Sequence, residues 1–367
     1  MTVLPAVRGA HLVGSINQPT AAATLRVVAE NLGADIARIP DGEVGERYHW
    51  ILFQGSAFDA VDGLARVAID PIVIGGFDVR PLTLDGTVAA EALEFGPLGY
   101  ADAAIASFAE FSALKAAGVI APGTRFQVSV PSPLAALSVY VVPAERPLVY
   151  PAYSAAIVRE IAEITAAIPA EELAIQIDLA TEFTYIEQVS VGGIKPVAWF
   201  AEAGADASTA EVIAAAGTLA ARIANGVPDA VELGFHLCYG DVAEKHFVEP
   251  ADTANLVALA NVLASAVTRP VNWVHLPVPI ERDDTAYVAP LAELALRQET
   301  TLFLGLVHHE DGVEGASRRI ATVRPVLASA GFTEFGIGTE CGFGRGPAER
   351  TAPLLRLHAE VIAAANS

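Results

Sequence analysis

At 367 residues the chain is long enough for one large α/β barrel or two average domains, and its 53% hydrophobic content with 30 glycines and 23 prolines describes a globular core cut by many turns rather than a disordered chain. The formal net charge of -21, with no run of basic residues, argues against nucleic acid and anionic membrane as partners, because a phosphate binder needs a basic patch. Two cysteines exclude a disulfide framework and point to a reducing compartment.

The N-terminal MTVLPAVRGAHLVGS lacks the charged-then-apolar pattern of a secretory signal, and no apolar stretch of spanning length is free of charge or proline. The cytoplasm is the expected location. Along the chain, Ala10 to Ser15 reads as a first strand and Thr20 to Leu32 as a helix stopped by Gly33. Ile36 to Ile39 is a second strand running into the carboxylate-rich turn Pro40-Asp41-Gly42-Glu43. From Gly45 to about Gly118 the pattern is irregular: a strand at Pro71 to Gly76, a short helix at Val88 to Glu94 and an amphipathic helix at Tyr100 to Ala117. No low-complexity linker bounds this segment, so it reads as an elaborated loop of one domain spanning 1–367.

Regular alternation then returns. Strands are expected at Arg125 to Val130, Leu173 to Asp178, Val231 to His236, Val271 to His275, Thr301 to Val307 and Glu334 to Gly338. Helices are expected at Tyr150 to Ile168, Thr209 to Ile223, Asp252 to Val267, Thr285 to Arg297, Gly315 to Ala328 and Arg350 to Ala365. About eight strands, each followed by a helix, predict an α/β fold of the single (β/α)8 TIM-barrel kind, with an open doubly wound sheet as the alternative. No G-x-G-x-x-G or P-loop motif stands at any strand end.

In such a barrel the chemistry lies at the C-terminal ends of the strands. Those ends read Gly14-Ser15, Asp41-Gly42-Glu43, Ser129 to Ser132, Asp178, His236-Leu237-Cys238, His275, His308-His309-Glu310 and Glu340-Cys341-Gly342. His236 and Cys238 are two apart, so on a strand they share a face, and Cys341 is the only other cysteine. One imidazole and two thiolates suit zinc, with His275 the expected fourth partner. Two acids facing a mouth, Glu43 and Asp178, suit an ammonium group, and Arg345 in its Gly-rich loop suits an anionic one or pairs with a nearby carboxylate. Asp178 also reads as a loop cap. One of His308 and His309 reads as a surface residue, while His11 and His246 read as structural.

The order GSINQPT, DGEVGER, QIDLA, HLCYGD and TECGFGR resembles the catalytic barrel of cobalamin-independent methionine synthase. The wider superfamily includes the zinc-dependent epoxyalkane coenzyme M transferase and, more distantly, uroporphyrinogen decarboxylase. The resemblance implies that His236, Cys238 and Cys341 ligate zinc and that Ser15, Glu43 and Asp178 grip an amino-acid-like thiol. Asp178, His275 and His308 are the expected catalytic groups. Where that family has a glutamate ligand on the strand after H-x-C, this strand ends in His275. The Q-I-D-E-P piece is Gln176-Ile177-Asp178-Leu179-Ala180 here, and Pro131 to Val142 holds no tryptophan to stack a pterin, so folate is not carried over.

The leading expectation is a zinc-dependent transferase that presents a thiol as thiolate for alkyl, most simply methyl, transfer. Its partners would be a small-molecule thiol and an alkyl donor, with self-association left open. The alternatives are a metal-independent lyase such as a decarboxylase acting on a small anionic substrate, and a barrel that binds a ligand without catalysis.

Overall fold

The structure is a computed structural model that describes residues 4–190, 195–240 and 245–367. Asp241, which closes the HLCYGD stretch, lies outside the described residues. Eight parallel strands form one curled sheet: β1 (Ala6–Ala10), β2 (Arg38–Pro40), β3 (Arg125–Pro131), β4 (Leu173–Leu179), β5 (Glu232–Leu237), β6 (Trp273–Pro277), β7 (Thr301–Gly305) and β8 (Glu334–Gly338). Their spatial order is β1-β8-β7-β6-β5-β4-β3-β2. The two outer strands, β1 and β2, are linked among the described residues by two isolated bridges at their flanks, Ala10 with Ile36 and Ser15 with Gly42. The sheet is therefore TIM-barrel-like, with a lightly bonded seam between β1 and β2.

Apolar runs explain the strands: every residue of β4 is buried, as a parallel strand covered on both faces requires. Helices α1 (Ala21–Leu32), α2 (Tyr100–Ala116), α3 (Arg146–Ala167), α4 (Thr209–Ala224), α5 (Ala254–Ala266), α6 (Gly312–Ser329) and α7 (Thr351–Ala365) alternate with them. The helix expected over Thr285 to Arg297 is instead one turn, Thr285–Val288, continued as a 3-10 helix to Glu293. Pro290 explains the break, since it lacks the backbone N–H that an α-helix would bond to the carbonyl four residues earlier. The first strand also lies earlier than expected. Ala10 to Ser15 is buried, but beyond Ala10 it rises past the strand end into the mouth of the barrel.

Side chains plug the barrel's interior. A Cβ on Gly234 would sit 2.0 Å from the Trp273 ring, so the glycine makes room for an indole at the barrel's centre. The guanidinium of Arg38 lies 4.1 Å from the same ring and bonds Glu232 at 2.6 Å, which closes the floor beneath the site. Between β2 and β3 the elaborated segment carries two small antiparallel pairs, Leu64–Arg66 with Leu82–Leu84 and Val73–Ile74 with Phe77–Asp78, before α2 crosses back to β3. Buried Glu160 of α3 anchors it: one carboxylate oxygen accepts the Leu98 N–H and the other the Ala101 N–H, each at 2.6 Å.

Candidate metal centre

Sheet register brings the first site residues together. Asp178 pairs with His236 across β4 and β5, and His236 with His275 across β5 and β6. Cys238 follows the end of β5, where the chain turns at Gly240 with φ +83. A Cβ there would lie 2.0 Å from the Phe247 ring, so both the backbone conformation and the space require glycine. The Gly240 N–H donates to the Cys238 sulfur at 3.2 Å. Cys341 arrives in the loop after β8, whose backbone Thr339 ties down by donating its hydroxyl to the Cys341 carbonyl at 2.6 Å.

The two sulfurs stand 3.6 Å apart, too far for a disulfide. Two thiolates about 2.3 Å from a tetrahedral zinc would be about 3.8 Å apart, which this spacing nearly matches. One ligand atom each from His236, Cys238 and Cys341 lies within 4.8 Å of the others. Nε2 of His236 is buried without a hydrogen-bond partner, an orphan that a metal would satisfy. The donor set and the orphaned nitrogen both fit zinc.

His275 stands outside that group of three. β6 runs two residues beyond His275, so the ring sits inside the barrel rather than at its rim. Its Nδ1 lies 2.9 Å from Nδ1 of His236. Burial pushes the His275 ring down to about 3 and His236 well below the usual imidazole range. Beneath it His11 bonds Gln176 at 2.7 Å, a buried structural role of the kind expected for it.

A cavity of about 50 Å³ opens on the three ligands and on Ser15, Glu43, Asp178 and Arg345, so the expected substrate contacts share one pocket with them. Burial raises Glu43 to about 7, against the opposing charge of Arg47. Asp178 is pushed well above the usual carboxylate range by burial and then by Glu43, while its bond from Gln176 at 2.8 Å pulls the other way. Asp41 braces the Glu43 turn, accepting from the Glu43 N–H at 3.0 Å, from Arg47 at 2.6 Å and from the Ser107 hydroxyl of α2 at 2.7 Å. Trp50 completes the pocket and was not legible in the sequence. Glu43 and Trp50 both hold positive φ, at +51 and +56, a strained conformation for residues with side chains.

A second cavity of about 540 Å³ adjoins the first, sharing Gly240, Cys341 and Gly342. On its wall His308, buried and held at about 3 by burial, lies 3.1 Å from Glu340, and Glu340 also meets His246 at 2.7 Å. Burial works to lower His246, but the hydrogen bond and charge of Glu340 outweigh it and hold the ring at about 9. His246 is thus an ion-pair partner of the residue preceding Cys341. The sequence places Glu340 at a strand end but gives it no role, because nothing local marks an acid that collects two distant histidines. His309 is exposed, the surface member of its pair.

No protein-family model and no curated protein matches the chain. Solved structures do. One, from Listeria monocytogenes and named only provisionally as a vitamin-B12-independent methionine synthase, aligns over 98% of both chains with 14% identity and a TM-score of 0.57. Another, a B12-independent methionine synthase from Shewanella sp. W3-18-1 in complex with selenomethionine, aligns over 98% of this chain and 97% of its own, with 13% identity and a TM-score of 0.60. These likenesses establish a shared fold. Among the described residues no helix is long and apolar enough to cross a membrane.

Proposed function

We propose that the protein is a zinc-dependent transferase that alkylates, in the simplest case methylates, a small amino-acid-like thiol. The observation that carries this is the orphaned Nε2 of His236 beside two sulfurs 3.6 Å apart, in the same pocket as two acids, buried Asp178 and half-buried Glu43. His236, Cys238 and Cys341 would hold the ion. Bound zinc supplies a thiol of lowered pKa, and hence a thiolate at neutral pH.

The chain's own residues do the rest. Glu43 and Asp178 receive the ammonium group and Arg345 a carboxylate, while Ser15 and Trp50 close the pocket against water. Asp178 is also paired in register with His236, which sets its carboxyl beside the ion and orients the bound amino acid toward it. The larger neighbouring cavity takes the alkyl donor, with His308 on its wall and His246, held protonated by Glu340, as the group that can give the leaving group a proton. The fold shared with two proteins named as methionine synthases supports methyl transfer, and the selenomethionine on the Shewanella protein is an amino acid of the kind this pocket suits.

Metal analysis of the purified protein tests the reading: one zinc per chain is expected, and none in the Cys238→Ser, Cys341→Ser double variant. Full zinc occupancy in that variant would sink it. A protein that neither carries nor takes up zinc would turn the reading to a metal-independent lyase.

A further inference from the structure

The 2.9 Å contact between Nδ1 of His236 and Nδ1 of His275 contains more chemistry than simple proximity. Two imidazole nitrogens at that distance share one proton, carried by one of the two rings. If His275 carries it, a neutral His236 must bear its own proton on Nε2. That atom would then be a buried donor without an acceptor and would have no lone pair for a metal. If His236 carries it, Nε2 of His236 is a bare lone pair, and His275 keeps its proton on Nε2, which is also buried without a hydrogen-bond partner, so what separates the two arrangements is the lone pair left for a metal. The backbone of Thr339 stands near the His275 ring and favours a proton on it. Gly338 keeps the Nε2 side of that ring open, since a Cβ on it would come within 3.0 Å of Nε2 of His275.

Only the second arrangement makes His236 a ligand. We infer that His275 is a positioning residue: its Nδ1 accepts a hydrogen bond from Nδ1–H of His236, fixing the tautomer and ring orientation that present Nε2 to the metal, and it is not itself a fourth ligand. The fourth position then belongs to the substrate thiol, which makes the centre an open, catalytic one. This rests on the zinc reading above, and it assigns to an imidazole the supporting bond that more often goes to a carboxylate or carbonyl.

The test is metal binding, measured by competition with a chromophoric chelator and by the absorption spectrum of the cobalt(II)-substituted protein. Wild type, His275→Asn, His275→Ala and Cys238→Ser are compared, with melting of the metal-free forms as a folding control. His275→Asn, whose Oδ1 accepts where Nδ1 stood, should bind one metal with near wild-type affinity. His275→Ala should also bind one metal with an unchanged cobalt ligand-field spectrum, but roughly 10–100-fold more weakly. Equal affinity in wild type and His275→Ala would overturn the inference and leave the zinc reading standing. A lost ligand in the cobalt spectrum of both His275 variants would make His275 a ligand and overturn it too. Absence of metal from wild type would bring down the zinc reading itself.

Discussion

Glu43 is placed where a carboxylate is poorly tolerated, half-buried in the pocket and on a strained backbone, and its pKa of about 7 follows from the loss of solvent around it. An entering ammonium group offsets the burial, so affinity for a small amino-acid ligand should rise as pH increases through about 7. In Glu43→Gln that rise should disappear and binding should weaken about 10–100-fold, the usual loss of one charge-assisted bond, as calorimetric titration across pH would show. The ligand-free protein carries the opposite sign. The folded pKa exceeds the ordinary 4.5, so the native state holds the extra proton between 4.5 and about 7, and stability falls as pH rises through that window. Urea unfolding of Glu43→Gln should show a smaller fall. At this scale His236, Cys238 and Cys341 were legible because thiols are rare in this chain and an H-x-C triplet on a strand has a shared face. Trp50 was not, because it reaches the pocket through a left-handed backbone that no propensity favours.

The strands near the site show how a small error in an element's limits changes a residue's role. Val271 to His275 was a sound apolar run, but β6 starts at Trp273 and ends at Pro277, and those two residues move His275 from the rim into the interior. Periodicity locates a strand well and its ends poorly, because edge residues are decided by hydrogen bonds to neighbours and not by their own apolarity. The irregular segment after β2 was legible only as irregular, since its short pairs are held by tertiary contacts. Glu145, which accepts from Thr83 and Leu84, and Glu160 are two of these. Glu160→Ala would strand two buried N–H donors at the start of α2, at a cost of about 3 kcal/mol in urea unfolding. α2 also carries Ser107 to Asp41, so the same variant should bind the amino-acid ligand less tightly. Unchanged stability would mean that the segment is held elsewhere.

Over the whole molecule the βα rhythm was legible because it repeats, and a parallel sheet buried on both faces writes itself as apolar runs. The candidate ligands come from β5 and from the loop after β8, so a bound ion joins segments far apart in the chain. Zinc at about 1,000 times its dissociation constant would add about 4 kcal/mol to folding stability. Removal by a chelator should therefore lower the melting temperature of wild type by several degrees and leave Cys238→Ser unmoved, as scanning calorimetry would show. The seam between β1 and β2 has a different consequence. Ser15 and Gly42 form one of its two bridges, and Glu43 follows directly. The pocket's grip is therefore divided between two lips that the sheet barely stitches together. A ligand touching Ser15 and Glu43 at once would act as a latch across that gap, completing a ring of strands that the backbone alone leaves nearly unfastened.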